Sequence, residues 1–210
     1  MYKDRTEAGR ALAAAALEYD TVDPLVLAIP RGGVIVGREV AAALHAALDV
    51  VMAKKIGAPF NPEFAIAAVD PDGQVLFPPG ADWGTLRGYI MGQAEDRRRE
   101  LRENLARFRS GRAGKRIAGR TVFLVDDGLA TGLTAMAALR YVRRKDPKNL
   151  ILAVPVAPED SIETIRPLAD DVICPLKPRV FYAVGEWYVS FEQVDDEDVI
   201  RVLSEFSDSE

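Results

Sequence analysis

The sequence predicts an α/β protein with a parallel sheet flanked by helices. Short apolar runs, which are typical of strands buried on both faces, occur at 25–29, 121–125, 149–156 and 171–176. Segments with helical periodicity separate them, at 34–48, 132–144 and 159–169. Strands that alternate with helices in this way favour a parallel sheet with helices on its faces.

The first half of the chain supplies one complete unit of this kind. Residues 5–19 are predicted to form an amphipathic helix, and the run LVLAI at 25–29 is predicted to form the first strand. An alanine-rich helix at 34–48 and a strand VVMAKKI at 50–56 follow. This strand–helix–strand order is a βαβ unit.

The middle and the end of the chain depart from the alternation. FAIAAVD at 64–70 and QVLF at 74–77 flank a Pro-Asp-Gly turn signal and predict a hairpin, and 85–109 predict a highly charged helix. The aromatic-rich stretch 179–194 is followed by a helix at 195–206. We therefore predict a core of residues 1–176, which includes a long excursion at 57–119, and a small C-terminal segment of residues 177–210.

Composition limits the classes of function. The 210 residues carry a net charge of −5, so a protein that mainly coats nucleic acid is not expected. The single cysteine, Cys174, excludes an intramolecular disulfide. The first residues lack a signal-peptide profile and no apolar run is long enough to span a membrane. These features favour a soluble, cytoplasmic protein without a membrane partner.

The most informative stretch is VFLVDDGLATGLT at 122–134. Glycines at 128 and 132 allow sharp turns, and the amides at the start of the next helix, with two threonines, form an anion site. Asp126 and Asp127 would repel a phosphate, so they are expected to face a vicinal diol or a magnesium ion. The inferred ligand carries a terminal phosphate and hydroxyls about one sugar ring away. An ordinary turn with acids that cap a helix remains the alternative.

This stretch resembles the 5-phosphoribosyl-1-pyrophosphate (PRPP) signature of type I phosphoribosyltransferases, whereas the GxxxxGK[ST] and GxGxxG patterns are absent. The resemblance implies that fold, a dependence on Mg²⁺, and a homodimer. It implies that Asp126 and Asp127 hold the ribose hydroxyls and the metal ion. It also implies that the 5-phosphate is wrapped by Gly128, Leu129, Ala130, Thr131, Gly132, Leu133 and Thr134. Ala130 stands where hypoxanthine-guanine enzymes carry a third acid, so a base supplied by this loop is not expected.

Two further positions match the family's pyrophosphate-binding side. Pro30-Arg31-Gly32-Gly33 follows the first strand and is similar to the pyrophosphate loop, with a cis peptide expected at Arg31–Gly32. The resemblance makes Arg31 a catalytic cation and the two glycines binding residues, although a simple βα turn is the alternative. Lys54 and Lys55 are predicted to end the second strand on the same rim, and Lys55 is assigned to pyrophosphate.

The excursion and the C-terminal segment correspond to the lid and the hood of the family. The excursion contains a basic run that either delivers an arginine to pyrophosphate or forms a solvated face: Arg107, Arg109, Arg112, Lys115, Arg116 and Arg120. In the hood, Phe181 and Trp187 are assigned to stacking on a planar acceptor, with a local aromatic core as the alternative.

The resemblance covers nearly the whole chain and implies an Mg²⁺-dependent transfer of phosphoribose from PRPP to a nitrogen acceptor, most simply a nucleobase. More narrowly, the chain is similar to a bacterial group of predicted phosphoribosyltransferases, which names no substrate. The partners implied are PRPP and a small-molecule acceptor. The alternatives are a non-catalytic sensor of PRPP or nucleotides, and an enzyme that acts on another phosphosugar.

Overall fold

The computed structural model describes residues 1–78 and 84–207. Residues 79–83, in the predicted excursion, and 208–210, at the end of the predicted hood segment, lie outside the described residues. The helices are α1 (Arg5–Ala16), α2 (Gly32–Leu44), α3 (Arg87–Phe108), α4 (Leu133–Arg143), α5 (Glu159–Ile165) and α6 (Asp196–Glu205). The strands are β1 (Leu25–Ala28), β2 (Ala47–Val50), β3 (Lys54–Ala58), β4 (Asn61–Val69), β5 (Val75–Leu76), β6 (Thr121–Val125), β7 (Asn149–Ala153) and β8 (Asp171–Ile173).

The main sheet has five parallel strands in the order β2-β1-β6-β7-β8. Ala28 of β1 lies opposite both Val50 of β2 and Val125 of β6, so the carboxyl ends of the central strands share one edge. This arrangement confirms the predicted parallel α/β sheet. The chain moves from β1 to β2 on one side and later enters β6 on the other, so the strand order reverses between β1 and β6.

Apolar side chains cover both faces of this sheet. Helix α4 and the small sheet pack on one face, whereas α1, α2 and α6 pack on the other. Every residue of β1 and β6 is buried, which explains why these strands read as continuous apolar runs.

The excursion forms a second, antiparallel sheet of order β3-β4-β5, which confirms the predicted hairpin. The predicted strand at 50–56 is wrong, because β2 ends at Val50 and β3 begins at Lys54 in the other sheet. The preceding helix also ends earlier than predicted. His45 adopts a left-handed conformation with φ of 50° directly after α2, and β2 begins at Ala47. The alanine-rich run at 41–48 contains no glycine or proline that would have marked this stop.

Prolines shorten the elements of the second half. Strand β7 ends at Ala153, two residues before Pro155, and β8 ends at Ile173, two residues before Pro175. Proline cannot donate a hydrogen bond to a strand ladder, so the pairing continues only as a bridge between Val156 and Leu176. The predicted helix at 159–169 likewise becomes α5 and a 3₁₀ turn at Arg166–Leu168.

The predicted hood is tied to the beginning of the chain. The amide of Tyr2 donates to the Trp187 carbonyl at 2.8 Å, and the amide of Val189 donates to the Tyr2 carbonyl at 2.8 Å. A single 3₁₀ turn, Val184–Trp187, is the regular element between β8 and α6. The hood therefore includes residues from the beginning of the chain. Among the described residues, no helix combines the length and apolarity needed to cross a bilayer.

Candidate active site

The candidate site lies where the strand order reverses. Ligands of open α/β sheets bind in the crevice beyond the carboxyl ends of the strands at such a switch point. The loop after β1 and the loop after β6 meet there, and the Ile29 amide donates to the Val125 carbonyl at 2.8 Å. The structure thus brings together the two loops that the sequence singled out.

Asp126 and Asp127 are half-buried at the end of β6. The Asp127 amide donates to Oδ1 of Asp126 at 2.8 Å, which fixes the first carboxylate against the backbone. Burial and the adjacent Asp127 carboxylate raise the pKa of Asp126 well above its usual value. Burial also raises the pKa of Asp127, although the guanidinium of Arg5 opposes that shift. Hydroxyl donors or a cation on a ligand would stabilise the ionised pair.

The loop that follows the acids turns sharply at its two glycines. Gly128 has a φ of 154°, and a Cβ built on it would lie 2.6 Å from Cγ1 of Val184. Gly132 is the N-cap of α4 with a φ of 69°, and its Cβ would overlap Cδ1 of Ile165. A side chain would be strained and would clash at both positions, so the glycines allow the loop to pack closely.

The remaining loop residues divide into anchors and exposed groups. Leu129 is buried and its amide donates to the Val156 carbonyl at 3.0 Å. Ala130 and Thr131 are exposed, and the hydroxyl of Ser161 donates to the Ala130 carbonyl at 2.6 Å. Leu133 is buried and Thr134 is half-buried in the first turn of α4, where backbone amides have no acceptor within the helix. This helix start is suited to an anion.

The loop after β1 passes directly over the second acid. A Cβ built on Gly32 would lie 1.9 Å from Oδ2 of Asp127, and a Cβ on Gly33 would lie 2.9 Å from Cα of Asp126. Only glycine permits this approach. The chain contains a cis peptide at Pro30–Arg31, so the expected position at Arg31–Gly32 is wrong by one residue.

The side chain of Arg31 points toward α6. Its Nε donates to Oδ1 of Asp196 at 2.8 Å, and Arg107, near the end of α3, forms an ion pair with the other oxygen of the same carboxylate. The structure therefore places a cation of the excursion beside the cation of the β1 loop. Two other cations of the basic run have structural contacts: Arg109 pairs with the buried Asp49 at 2.8 Å, and Arg120 pairs with Asp23 at 2.7 Å.

The assignment of Lys55 to pyrophosphate remains a prediction. This lysine lies in β3 opposite Ala68 of β4, and Lys54 forms an ion pair with Glu100 of α3. Among the described residues, no hydrogen bond or ion pair joins Lys55 to the acids or to Arg31. The prediction that Lys54 and Lys55 end the second strand of the main sheet is wrong, because that strand ends at Val50 and both lysines lie in β3.

Arg5 is the site residue that the sequence did not indicate. Its Nε donates to Oδ2 of Asp127 at 2.7 Å, although 122 residues separate the two in sequence. A weak signal exists, since Arg5 is the first residue of α1 and a cation is unfavourable at a helix N-terminus. A cation placed there implies a carboxylate partner, but the sequence does not say which one.

The hood packs against the same loop. The hydroxyl of Tyr188 donates to the Asp127 carbonyl at 2.5 Å, and Val184 lies against Gly128. The rings of Phe181 and Trp187 stack on each other with centroids 6.3 Å apart and an interplanar angle of 12°. Both are half-buried, and among the described residues the buried Nε1 of Trp187 has no hydrogen-bond acceptor.

The acids do not form a metal cage by themselves. Among residues 1–78 and 84–207, no group of three or more histidine, cysteine or carboxylate side chains is arranged to hold a metal. Mg²⁺ commonly binds through one or two carboxylates together with substrate oxygens. Asp126 and Asp127 fit such an ion if the ligand completes its coordination, and Oδ2 of Asp127 is already held by Arg5.

A family model described as "Phosphoribosyl transferase domain" matches residues 2–191. Proteins of Mycobacterium tuberculosis strains CDC 1551 and H37Rv, each described as "Putative phosphoribosyl transferase", are 38% identical over 205 residues. These matches cover 97% of this chain and 46% of each relative. The chain therefore spans about half the length of the curated relatives it matches.

Two solved structures are similar to this chain in their fold. The crystal structure of TT1426 from Thermus thermophilus is 41% identical, covers 98% of both chains and superposes with a TM-score of 0.83. The AQ2163 protein from Aquifex aeolicus is 13% identical, with 95% of this chain and 83% of that chain covered and a TM-score of 0.54. The second likeness shows the fold alone.

Proposed function

The chain belongs to the phosphoribosyl transferase domain family, and from this premise we propose that it transfers 5-phosphoribose from PRPP to a nitrogen acceptor, a nucleobase, with release of pyrophosphate. The M. tuberculosis relatives, described only as "Putative phosphoribosyl transferase", agree with the reaction type and name no acceptor.

The contact between the two loops carries this proposal. Gly32 lies against Asp127, so a ligand bound to the acids would also contact the chain that follows β1. PRPP requires this arrangement, because its diol, its 5-phosphate and its pyrophosphate radiate from one ribose ring. The acids would accept hydrogen bonds from the diol, the start of α4 would hold the 5-phosphate, and Arg31 would face the pyrophosphate.

The proposed reaction forms a bond between an acceptor nitrogen and C1 of the ribose and breaks the bond between C1 and the pyrophosphate oxygen. The leaving pyrophosphate takes the electron pair, and the acceptor loses its N–H proton. Positive charge develops on the ribose ring in the transition state, and the carboxylates below the ring would stabilise it. Since Ala130 offers no side-chain base, the proton must go to an acceptor outside residues 128–134.

Mg²⁺ is the proposed cofactor, held by Asp126, Asp127 and oxygens of PRPP. When bound, the ion would neutralise charge on the diphosphate. Arg31 and Arg107 would supply positive charge from the protein, once the pyrophosphate displaces Asp196 from them.

The acceptor is proposed to bind between the 126–134 loop and the hood. Tyr188 and Val184 bring the hood to that loop. The flat acceptor ring is proposed to stack on Phe181 or Trp187, whose rings also stack on each other. The family resemblance also favours a homodimer, which sedimentation of the purified chain tests.

The decisive experiment incubates the chain with Mg²⁺ and PRPP, in the presence of a panel of purine and pyrimidine bases, and measures pyrophosphate release. Asp127→Asn is the matched variant, and we expect it to lower turnover at least about 100-fold, because it removes charge-assisted hydrogen bonds to the diol and charge stabilisation of the ring. Circular dichroism of the variant checks that the fold is retained.

The outcomes separate the candidate functions. The transferase is supported if pyrophosphate release depends on an added base and is lost in Asp127→Asn. Tight binding of PRPP without release for any base favours a sensor, and release from a different phosphosugar favours the other enzyme class. Unchanged turnover in Asp127→Asn would show that the acids are not the site.

A further inference from the structure

Arg5 makes three contacts that meet in one place. Its Nε donates to Oδ2 of Asp127 at 2.7 Å, and its Nη1 donates to the Glu192 carbonyl at 2.7 Å. Its guanidinium carbon lies 3.8 Å from the centroid of the Phe191 ring. The side chain is 11% exposed, so these contacts replace most of its hydration.

This pair differs from an ordinary surface ion pair. Arg10, in the same helix, pairs with Glu39 at 3.1 Å but is 72% exposed. Such exposed ion pairs contribute little to the stability of the fold. Removing one partner of a largely buried pair leaves a charge without compensation, which costs far more. Asp127 therefore depends on Arg5 for its orientation.

The pair also lies against the loop after β1. A Cβ built on Gly32 would lie 1.9 Å from Oδ2 of Asp127 and 2.7 Å from Nε of Arg5. Arg5 is thus in contact with the acid of the 126–134 loop, the glycine of the β1 loop and two residues of the hood segment. The residues just before it are also bound to the hood, since the amide of Ser190 donates to the Lys3 carbonyl at 2.8 Å.

We propose that Arg5 is a positioning residue for PRPP, and this inference rests on the proposed function. It holds one oxygen of Asp127 so that the carboxylate meets the ribose hydroxyls in a fixed orientation. Its contacts with the Glu192 carbonyl and the Phe191 ring keep the guanidinium itself in place beside Asp127.

The chemistry of the guanidinium suits this role. A planar fork can donate in two directions while its face stacks on an aromatic ring. A lysine in its place keeps the positive charge but cannot make all three contacts. Arg5→Gln removes the positive charge, whereas Arg5→Lys keeps the charge and loses the planar geometry. Comparing the two variants therefore separates the effect of charge from the effect of geometry.

The test compares Arg5→Gln, Arg5→Lys and the control Arg10→Gln, which alters a surface pair of the same helix. Equilibrium binding of PRPP with Mg²⁺ is measured by calorimetry without acceptor, and KM values for PRPP and for the base are measured with acceptor. Loss of a charge-assisted hydrogen bond predicts about tenfold weaker PRPP binding in Arg5→Gln, an intermediate loss in Arg5→Lys and no change in Arg10→Gln.

A second readout distinguishes positioning from folding. We expect the KM for PRPP to rise while the KM for the base changes less than about twofold, since the lost hydrogen bond acts on the donor. Guanidinium chloride, far below denaturing concentrations, should restore part of the PRPP binding of Arg5→Ala and none of that of Asp127→Asn.

The results that would overturn the inference are specific. PRPP binding in Arg5→Gln and Arg5→Lys that equals the wild type shows that Arg5 does not position Asp127, whereas the proposed function would stand. If Arg5→Gln fails to fold, unchanged binding by Arg5→Lys overturns it equally. Failure of the wild type to bind PRPP would overturn the proposed function, and this inference with it.

Discussion

Gly32 is the residue at which the two loops of the site come closest, because a Cβ built there would overlap the Asp127 carboxylate. Glycine at this position reflects close packing, since the residue lies in the first turn of α2, where a side chain is otherwise favourable. The pattern Arg-Gly-Gly alone could have been a simple turn, and the contact with Asp127 now explains it.

Gly32→Ala should therefore impair the donor site more than the fold. A methyl group 1.9 Å from Oδ2 of Asp127 must displace that carboxylate or the loop, so we expect PRPP binding to weaken at least about tenfold. Calorimetric titration with PRPP measures the effect. Gly92→Ala is the control, because a Cβ there meets nothing within 4 Å in the α3 helix, and it should bind PRPP normally. Normal binding by Gly32→Ala would mean that the loop shifts freely.

Single residues were predicted from the sequence where a local pattern defines them. Asp126, Asp127 and the glycines that follow lie together in one loop, so their proximity needed no knowledge of the fold. Arg5 could not be found in this way, because its contact with Asp127 exists only after α1 packs beside the sheet. Lys55 was placed in the wrong strand for the related reason that its position depends on where β2 ends.

At the level of elements, helix α6 does more than close the core. Its N-cap Asp195 and its residue Asp198 form a reciprocal capping box, which fixes the start of the helix. Asp196 is the first helical residue, and it bonds both Arg31 and Arg107. A helix near the end of the chain thus holds the two cations proposed for pyrophosphate.

Asp196→Asn should weaken the contacts of residue 196 with Arg31 and Arg107 and so favour binding of PRPP. Pyrophosphate must compete with the Asp196 carboxylate for Arg31 and Arg107, and an amide is a weaker competitor. We expect the KM for PRPP to fall severalfold and inhibition by product pyrophosphate to strengthen. Steady-state kinetics measure both, and Asp195→Ala serves as control because it should cost about 1 kcal/mol of stability without changing the KM. A higher KM in Asp196→Asn would show that the carboxylate orients Arg31 for the ligand.

Sequence periodicity located the elements better than their ends. The helices and strands of the main sheet were expected because a two-sided core demands continuous apolar strands. The end of α2 at Leu44 was missed, since alanine, leucine and histidine continue through the turn into β2. The sequence does contain a signal for the ends of β7 and β8, namely Pro155 and Pro175. These prolines constrain the strand ends more strongly than the apolar residues beside them.

For the whole molecule, the central question is whether the hood is a separate unit. The sequence predicted a division at residue 177. However, one buried cluster combines Ala8 of α1, Val156 beyond β7 and Tyr188 of the hood. Tyr2 adds a ring contact to Tyr188, with centroids 5.8 Å apart, and donates from its hydroxyl to the Pro155 carbonyl at 3.1 Å. These contacts cross the predicted boundary and join the hood and the first residues of the chain to the core.

The hood and the core should consequently unfold in one transition. Far-UV circular dichroism reports on the whole chain, whereas fluorescence of Trp187, measured in a Trp83→Phe background, reports on the hood. We expect coincident thermal midpoints, and we expect Tyr2→Ala to lower both together by several degrees, as a loss of about 2 kcal/mol implies for a chain of this size. Val22→Ala, at a position that is 80% exposed, should leave them unchanged. A fluorescence transition that precedes the loss of helix signal would show that the hood opens on its own, and the donor and acceptor sites could then be ordered separately.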